Sequence, residues 1–281
     1  MSTELFPLHT GKFKLDGGAM FGVVPKSIWN KLNPADEKNL CTWALRCLLI
    51  KEGNRLILVD NGLGDKQDEK FFGHYYLQDT KSFDELLASH GFHRDDITDV
   101  ILTHLHFDHC GGSIVKKGAS LVPAFKNAVY WSNEVHWNWA IHPNEREKAS
   151  FLKENILPIQ ESGQLQWIPA EDGYAFSESI KLRFVYGHTE AMMLPQVMYK
   201  GRSVVFMADL LPSAAHIPMP YVMAYDVQPL LTMKEKRAFL TEALANNYIL
   251  FFEHDPVVEC CELEETEKGI RAGRSLSLHE I

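Results

Sequence analysis

The sequence predicts an α+β protein in which packed β-sheets are flanked by helices. Two observations carry this: strand-like runs occupy two halves of the chain around a helical stretch, and capping boxes open helices between those runs. Residues 43–51 and 55–60, joined by Glu52-Gly53-Asn54, read as a hairpin around a glycine-containing turn. Ser82-Phe83-Asp84-Glu85 is a capping box ahead of Leu86, Leu87 and Ala88, and Gly91 suits the left-handed end of a short helix. Residues 97–103, with Val100, Ile101 and Leu102 in succession, suit a strand buried on both faces that ends at His104. Residues 133–140 and 144–157 have helical character, with Pro158 closing the second. Residues 180–186, 196–200 and 203–208 return to strand patterns, Gly201-Arg202 making the tight turn between the last two. Thr232-Met233-Lys234-Glu235 is a second capping box, opening a helix to about Asn246, and 248–252 form a final buried strand. With no internal repeat and no low-complexity linker, residues 1–281 read as one domain around one core.

Composition narrows the partners. The 281 residues carry a net charge of −9, which argues against the basic footprint that a nucleic-acid backbone requires. No run approaches the roughly 20 apolar residues of a membrane span; the best, 204–211, is interrupted by Asp209. The start, Met1 to Thr10, has neither a basic leader nor an apolar stretch, so the chain is expected to begin there and to be cytoplasmic. Five cysteines, including the adjacent Cys260 and Cys261 and no C-x-x-C pair, are expected to be reduced thiols rather than disulfides or a zinc site. The acidic runs 95–96 and 262–267 read as solvated faces.

The segment Thr103-His104-Leu105-His106-Phe107-Asp108-His109-Cys110-Gly111-Gly112 carries the chemistry. A lone histidine is usually a satisfied core or surface residue, and structural zinc favours closed, cysteine-rich coordination. Three histidines and an aspartate this close point instead to an open, catalytic metal site. Alternation along an extended strand end puts His104 and His106 on one side, and the turn at Asp108-His109 swings two more groups toward them. Asp108 allows a second cation, and Gly111-Gly112 lets the backbone leave the turn to start a helix. Cys110 is expected to pack as a small apolar group.

These residues resemble the motif H-x-H-x-D-H of the metallo-β-lactamase superfamily. The resemblance implies a four-layer αββα sandwich and three further ligands, met in order by His188 in Tyr186-Gly187-His188-Thr189, Asp209 in Phe206-Met207-Ala208-Asp209, and His254 in Phe252-Glu253-His254-Asp255. By resemblance His104, His106 and His188 hold one metal, Asp108, His109 and His254 hold a second, and Asp209 bridges them. The implied cofactor is two divalent ions, zinc first, with manganese, iron or cobalt as alternatives. Such a pair lowers the pKa of water from about 16 toward neutrality and so gives a hydrolase, with Asp209 holding both ions and Asp108 or a metal-bound water as proton shuttle. Asp60 is a candidate to orient a ligand histidine through its other nitrogen, or to open the Asp60-Asn61-Gly62 turn, or both.

Within the superfamily, Asp209 is not the cysteine of zinc β-lactamases, and His106 is not the glutamate of di-iron oxygen reductases. The pattern is most similar to the N-acyl homoserine lactonase and methyl-parathion hydrolase branch, which implies a small-molecule lactone or ester substrate. Organophosphate triesterase and glyoxalase II-like thioesterase are the alternatives; the acidic tail at 259–267 speaks against the latter's basic glutathione region. Non-catalytic metal binding and a mononuclear iron dioxygenase are the competing classes, against which the full ligand set argues. Two departures stand out: the family's G-H-T-P-G-H is Gly187-His188-Thr189-Glu190-Ala191-Met192, and the tyrosine three residues after the bridging aspartate is Pro212, with Tyr221 or Tyr225 available to replace it. Phe107, Trp137, Met192, Met193, Met219 and Tyr225 are candidates for the substrate pocket. The aromatic stretch Tyr130, Trp131, Trp137, Trp139 is a candidate lid or homodimer contact.

Overall fold

The computed structural model describes residues 3–281, and thirteen of the fifteen strands among them form two sheets. Strands β1 (Thr3–Asp16), β2 (Leu40–Glu52), β3 (Arg55–Val59) and β4 (Asp99–Ile101) begin the first sheet; β5 (Ile114–Lys117) and β6 (Ser120–Pro123) form a separate small ladder. Strands β7 (Val129–Ser132) and β8 (Leu165–Trp167) complete the first sheet in the order β1-β2-β3-β4-β7-β8. The second sheet has β9 (Tyr174–Ala175), β10 (Ile180–Val185), β11 (Met192–Tyr199), β12 (Arg202–Phe206), β13 (Ile249–Phe251), β14 (Cys260–Thr266) and β15 (Gly269–Leu276), side by side in sequence order. The helices are α1 (Gly17–Phe21), α2 (Lys26–Trp29), α3 (Glu69–Gly73), α4 (Phe83–Ser89), α5 (Phe107–Cys110), α6 (Glu134–Ile141), α7 (Lys153–Glu161) and α8 (Pro229–Ala245).

Period-two alternation explains the layering. Leu48 and Ile50 of β2 and Ile57 and Val59 of β3 share one core with Leu182, Val197 and Val204 of the second sheet. Their neighbours Cys47, Leu49, Leu56 and Leu58 face the other way, under Leu87 of α4, Trp137 of α6, and Ile156 and Ile159 of α7. Phe239, Leu240 and Ala243 of α8 cover the second sheet, so the order is helix, sheet, sheet, helix. Burying each such large side chain contributes about 1.5–3 kcal/mol.

Strand direction then gathers the chemistry. β3, β4 and β7 run parallel, as do β12 and β13. Their C-terminal ends therefore open on one rim, where Asp60, His104, Asp209 and His254 follow β3, β4, β12 and β13.

Several elements differ from the sequence expectation. The long strand β1, which pairs with β2 through thirteen positions, carries no clean alternation and was not expected. The second helix of the central stretch starts at Lys153, not 144, and Pro158 lies inside it. The missing N–H there leaves only the carbonyl of exposed Glu154 without its helix donor, while Ile156 and Ile159 anchor the helix on both sides. β11 starts at Met192, and its tight turn is Lys200-Gly201, both at positive φ (47° and 81°). Helix α8 opens at Pro229, the favoured first-turn position for proline, because Glu235 accepts instead from the backbone of Tyr186 (2.8 Å) and Gly187 (3.0 Å). Residues 248–252 are not the final strand: 260–266 form β14, paired with β15, and Glu264 and Glu265 on it are exposed. Gly111 and Gly112 lead into a single 3-10 turn and then β5, not a longer helix. They are needed for space: a Cβ on Gly111 would lie 2.1 Å from the Leu63 carbonyl oxygen, and one on Gly112 2.2 Å from that of Asn61. Gly111→Ala is expected to destabilise the fold by about 1–3 kcal/mol, read as a lower urea midpoint at unchanged m-value.

Candidate metal centre

The loop after β4 stays extended to Thr103, whose carbonyl accepts from Met193 N at 2.9 Å. His136 of α6 then fixes the next residues: its Nε2 accepts from Leu105 N at 2.9 Å, and its Nδ1 donates to the Glu190 carbonyl at 2.6 Å. His106 caps α5, whose first turn presents Asp108 and His109.

Two groups of donors result. His104 Nε2 and His106 Nδ1 are 3.1 Å apart, and His188 Nε2 lies 3.2 Å from His106 Nδ1 and 3.1 Å from Asp209 Oδ2. Beside them, His109 Nε2 and His254 Nε2 are 3.1 Å apart, with Asp108 Oδ2 at 3.9 and 3.7 Å. Asp209 faces both sets: Oδ2 is 3.5 Å from His109 Nε2, and Oδ1 is 3.4 Å from His254 Nε2. Two ligand atoms on one tetrahedral zinc, each about 2.05 Å from it, lie roughly 3.3 Å apart, so the donors fit such ions.

The outward nitrogens decide the protonation pattern. His188 Nδ1 donates to Asp226 Oδ1 at 2.8 Å, His254 Nδ1 to the Ala44 carbonyl at 2.9 Å, and His104 Nδ1 faces Thr103 Oγ1 at 3.1 Å. His109 Nδ1 sits between Asp60 Oδ2 (3.0 Å) and Glu253 Oε2 (2.9 Å). His106 is turned the other way round, its Nε2 lying 3.5 Å from Glu147 Oε1. With the outer nitrogens protonated, the inner ones are lone pairs about 3 Å apart, an arrangement that requires a cation or a proton between them.

Electrostatics agree. Burial opposes charge on His188, but the Asp209 and Asp226 carboxylates override it and hold the imidazole up to about 10. Burial and the neighbouring imidazoles drive His104 well down. Burial works against Asp209 too, yet His188, His109 and His254 keep it ionised. Glu253, fully buried and beside Asp60, is pushed up to about 8.

Asp60 sits at φ 54°, and its carboxylate accepts from Thr103 N (2.8 Å), Thr103 Oγ1 (2.6 Å) and His109 Nδ1, which holds that strained backbone in place. Cys110 is buried, its Sγ donating to the Leu105 carbonyl, away from the cluster.

A cavity of about 340 Å³ opens above the cluster, walled by Leu15, Met20, Tyr75, Phe107, Met223 and Tyr225. Phe107 and Tyr225 are thus where the sequence expectation put them. Trp137 and Met192 are not: Trp137 packs edge-on to Trp167 beneath the first sheet, and Met192 pairs with Val185 within the hydrophobic core of the second sheet. Large apolar residues at strand and helix positions bury for stability. Met193 joins the same core, Met219 packs against it, and Tyr221 packs on Phe21. Sequence reasoning missed Tyr75, Arg146, Glu147, Asp226 and Glu253. Only Glu253, adjacent to His254, sits where its neighbour could have flagged it.

With this geometry, a match to the metallo-β-lactamase superfamily model spans residues 46–254. The chain belongs to the metallo-β-lactamase superfamily. Among superfamily relatives, it is 27% identical over 173 residues to an N-acyl homoserine lactonase of Bacillus thuringiensis, a match taking in 58% of this chain and 60% of the relative's length. A crystal structure of a probable metal-dependent hydrolase from Staphylococcus aureus superposes with a TM-score of 0.88 at 27% identity, covering 98% of this chain and 99% of that one. A dizinc quorum-quenching lactonase in complex with a homoserine product shares the fold, with TM-score 0.81, 20% identity, and coverage of 98% and 95%. The layering described above is therefore the αββα superfamily fold, and its rim holds the candidate ligands for divalent metal.

Proposed function

We propose that the protein is a binuclear zinc hydrolase that opens the ester bond of an uncharged lactone or related small ester. One observation carries the reading: five imidazole nitrogens and two carboxylates converge at the floor of a single open pocket. His104, His106 and His188 would hold one ion, Asp108, His109 and His254 the other, with Asp209 shared. Bound there, the cations supply Lewis acidity and lower the pKa of water from about 16 toward neutrality. The chain's own residues do the rest. Asp209 keeps the two ligand sets together, and Asp108 takes a proton from the attacking water and returns it to the leaving oxygen. Burial raises the phenols of Tyr75, to about 12, and Tyr225, so both stay protonated and can donate to a carbonyl oxygen as charge develops on it. Leu15, Met20, Phe107 and Met223 receive the apolar body and exclude water.

The pocket favours an uncharged substrate. Apart from the histidines, its one cationic wall residue is Arg146, whose guanidinium donates to the carbonyls of Ala224 and Asp226 (the latter at 3.4 Å). Away from the ions held by Asp108 and Asp209, an anionic acyl-glutathione or nucleic-acid strand would meet Glu147, with no free side-chain cation to balance its further charges. The lactonase relative and the dizinc lactonase neighbour support the same substrate class. Uncharged aryl phosphotriesters are the second reading, favoured by the same lack of free side-chain cations. Five buried, free cysteines support a reducing compartment, the cytoplasm, and no helix among the described residues is long and apolar enough to cross a membrane.

The test is turnover by zinc- and manganese-loaded protein on acyl-homoserine lactones, simple γ- and δ-lactones, an acyl-glutathione thioester and a paraoxon-type triester. Lactone opening that disappears in His106→Ala is the expected result. Silence on lactones and triesters from protein holding two metals per chain would overturn the substrate class and keep the centre.

A further inference from the structure

The loop at residues 218–226 contributes Met223, Ala224 and Tyr225 to the pocket wall and Asp226 to the outer face of His188. Its far half is tied by several bonds: Arg146 to two carbonyls, Ala224 N to the Ala19 carbonyl (2.7 Å), and Val227 N and Gln228 N to the carbonyls of His188 and Gly187. The near half has little of this. Pro218 and Pro220 have no N–H, and the amides of Tyr221 and Val222 bond only back within the loop, to the carbonyls of Pro218 and Pro220. Apart from the packing of Met219 on the core and of Tyr221 on Phe21, what fixes it to the body of the protein lies on helix α8. The Lys236 ammonium donates to the carbonyls of Pro218 (2.7 Å), Tyr221 (3.0 Å) and, more weakly, Met219 (3.5 Å).

Lys236 is fully buried, in the middle of the helix face made by Thr232, Phe239, Leu240 and Ala243, where periodicity calls for an apolar side chain. Among the described residues no carboxylate pairs with it; the charged groups that act on it are Asp226 and Arg271, neither at ion-pair distance. An ammonium has three donors and no acceptor, and three converging carbonyls match it. A methionine of similar bulk would fill the space and leave those carbonyls facing apolar surroundings. We infer that the 218–226 loop is the specificity element of this pocket and that Lys236 is its positioning residue, acting at a distance from the reacting atoms by holding the loop's near half.

Two readouts test this. Limited chymotrypsin digestion of the metal-loaded full chain reports release of the loop whatever the substrate proves to be. In Lys236→Met the bond after Tyr221 is expected to be cut about tenfold faster than in the wild type, with Lys236→Arg closer to wild type, because cleavage follows the population of the opened loop. The kinetic arm rests on the proposed hydrolase reading: KM for the turned-over lactone rises about tenfold in Lys236→Met while kcat stays within about threefold, and Lys236→Arg restores most of it. An unchanged cleavage rate at Tyr221 overturns the positioning role, and a loss confined to kcat overturns the specificity role. If Lys236→Met is cut throughout the chain, Lys236→Gln takes its place, since its shorter neutral side chain cannot reach all three carbonyls; a Lys236→Gln variant that folds but shows neither change overturns both. Absence of lactone turnover in the wild type bears on the proposed function and leaves the digestion result decisive for Lys236.

Discussion

Asp209→Ala protein is expected to lose both metal ions and with them its turnover. Asp209 is the one residue whose two oxygens face both ligand sets, at 3.1 Å from His188 Nε2 and 3.4 Å from His254 Nε2. Without it, the nitrogen sets lose the negative charge that draws cations into a buried, histidine-rich floor and the atoms that keep the ions adjacent. The rate should fall by about three orders of magnitude or more, since the pKa of water returns toward about 16 without the cations. Elemental analysis after gel filtration and turnover on the substrate identified by the panel are the two measurements. Two metals retained at wild-type affinity would refute the bridging role. The backbone supports the importance of the position: Ala208, immediately before it, sits at φ 41°, a strained conformation held next to the site.

Stripping the metals should make stability depend on pH in a direction opposite to ordinary alkaline tolerance. In the metal-free chain, burial disfavours the His188 imidazolium, but Asp209 and Asp226 outweigh burial and hold it to about 10. The unfolded value is about 6.5. A group whose folded pKa lies above its unfolded pKa contributes stability that is complete below about 6.5 and is lost as pH rises through about 10. The chelated protein should therefore show a falling thermal midpoint across that window. The metal-loaded protein should not, because the inward nitrogen is then occupied by a cation rather than a proton. By the same linkage, metal uptake at pH 7 should release about one proton or more per chain, and affinity should weaken as pH falls. Calorimetry in buffers of different ionisation enthalpy measures the release; uptake with no proton exchange would contradict this charge arrangement.

How much of this was legible in the sequence varies by residue and for physical reasons. The hairpin of β2 and β3 and the capped helix α4 were readable because their signals are local: alternation around Gly53, and a serine and glutamate three apart. The start of α8 was misplaced by the same rule, since Glu235 had a better use as acceptor for Tyr186 and Gly187, forty-nine and forty-eight positions away. Trp137 and Met192 were taken for pocket residues because composition cannot say which face of an element meets a cavity.

The sequence by itself determined the chemistry of the centre. The four ligand-type side chains within the six positions 104–109 are legible from ligand type and short-range spacing, which are properties of the chain, whereas His188, Asp209 and His254 were named only by the resemblance to the superfamily. Tertiary structure alone decided which nitrogen of each ring faces inward, that Asp226, Glu253, Glu147 and Asp60 hold the outer ones, and that Tyr75 from far up the chain shares a wall with Tyr225. Those facts depend on contacts between segments tens to hundreds of residues apart, which form only when two sheets close on one core and bring their strand ends to a common rim.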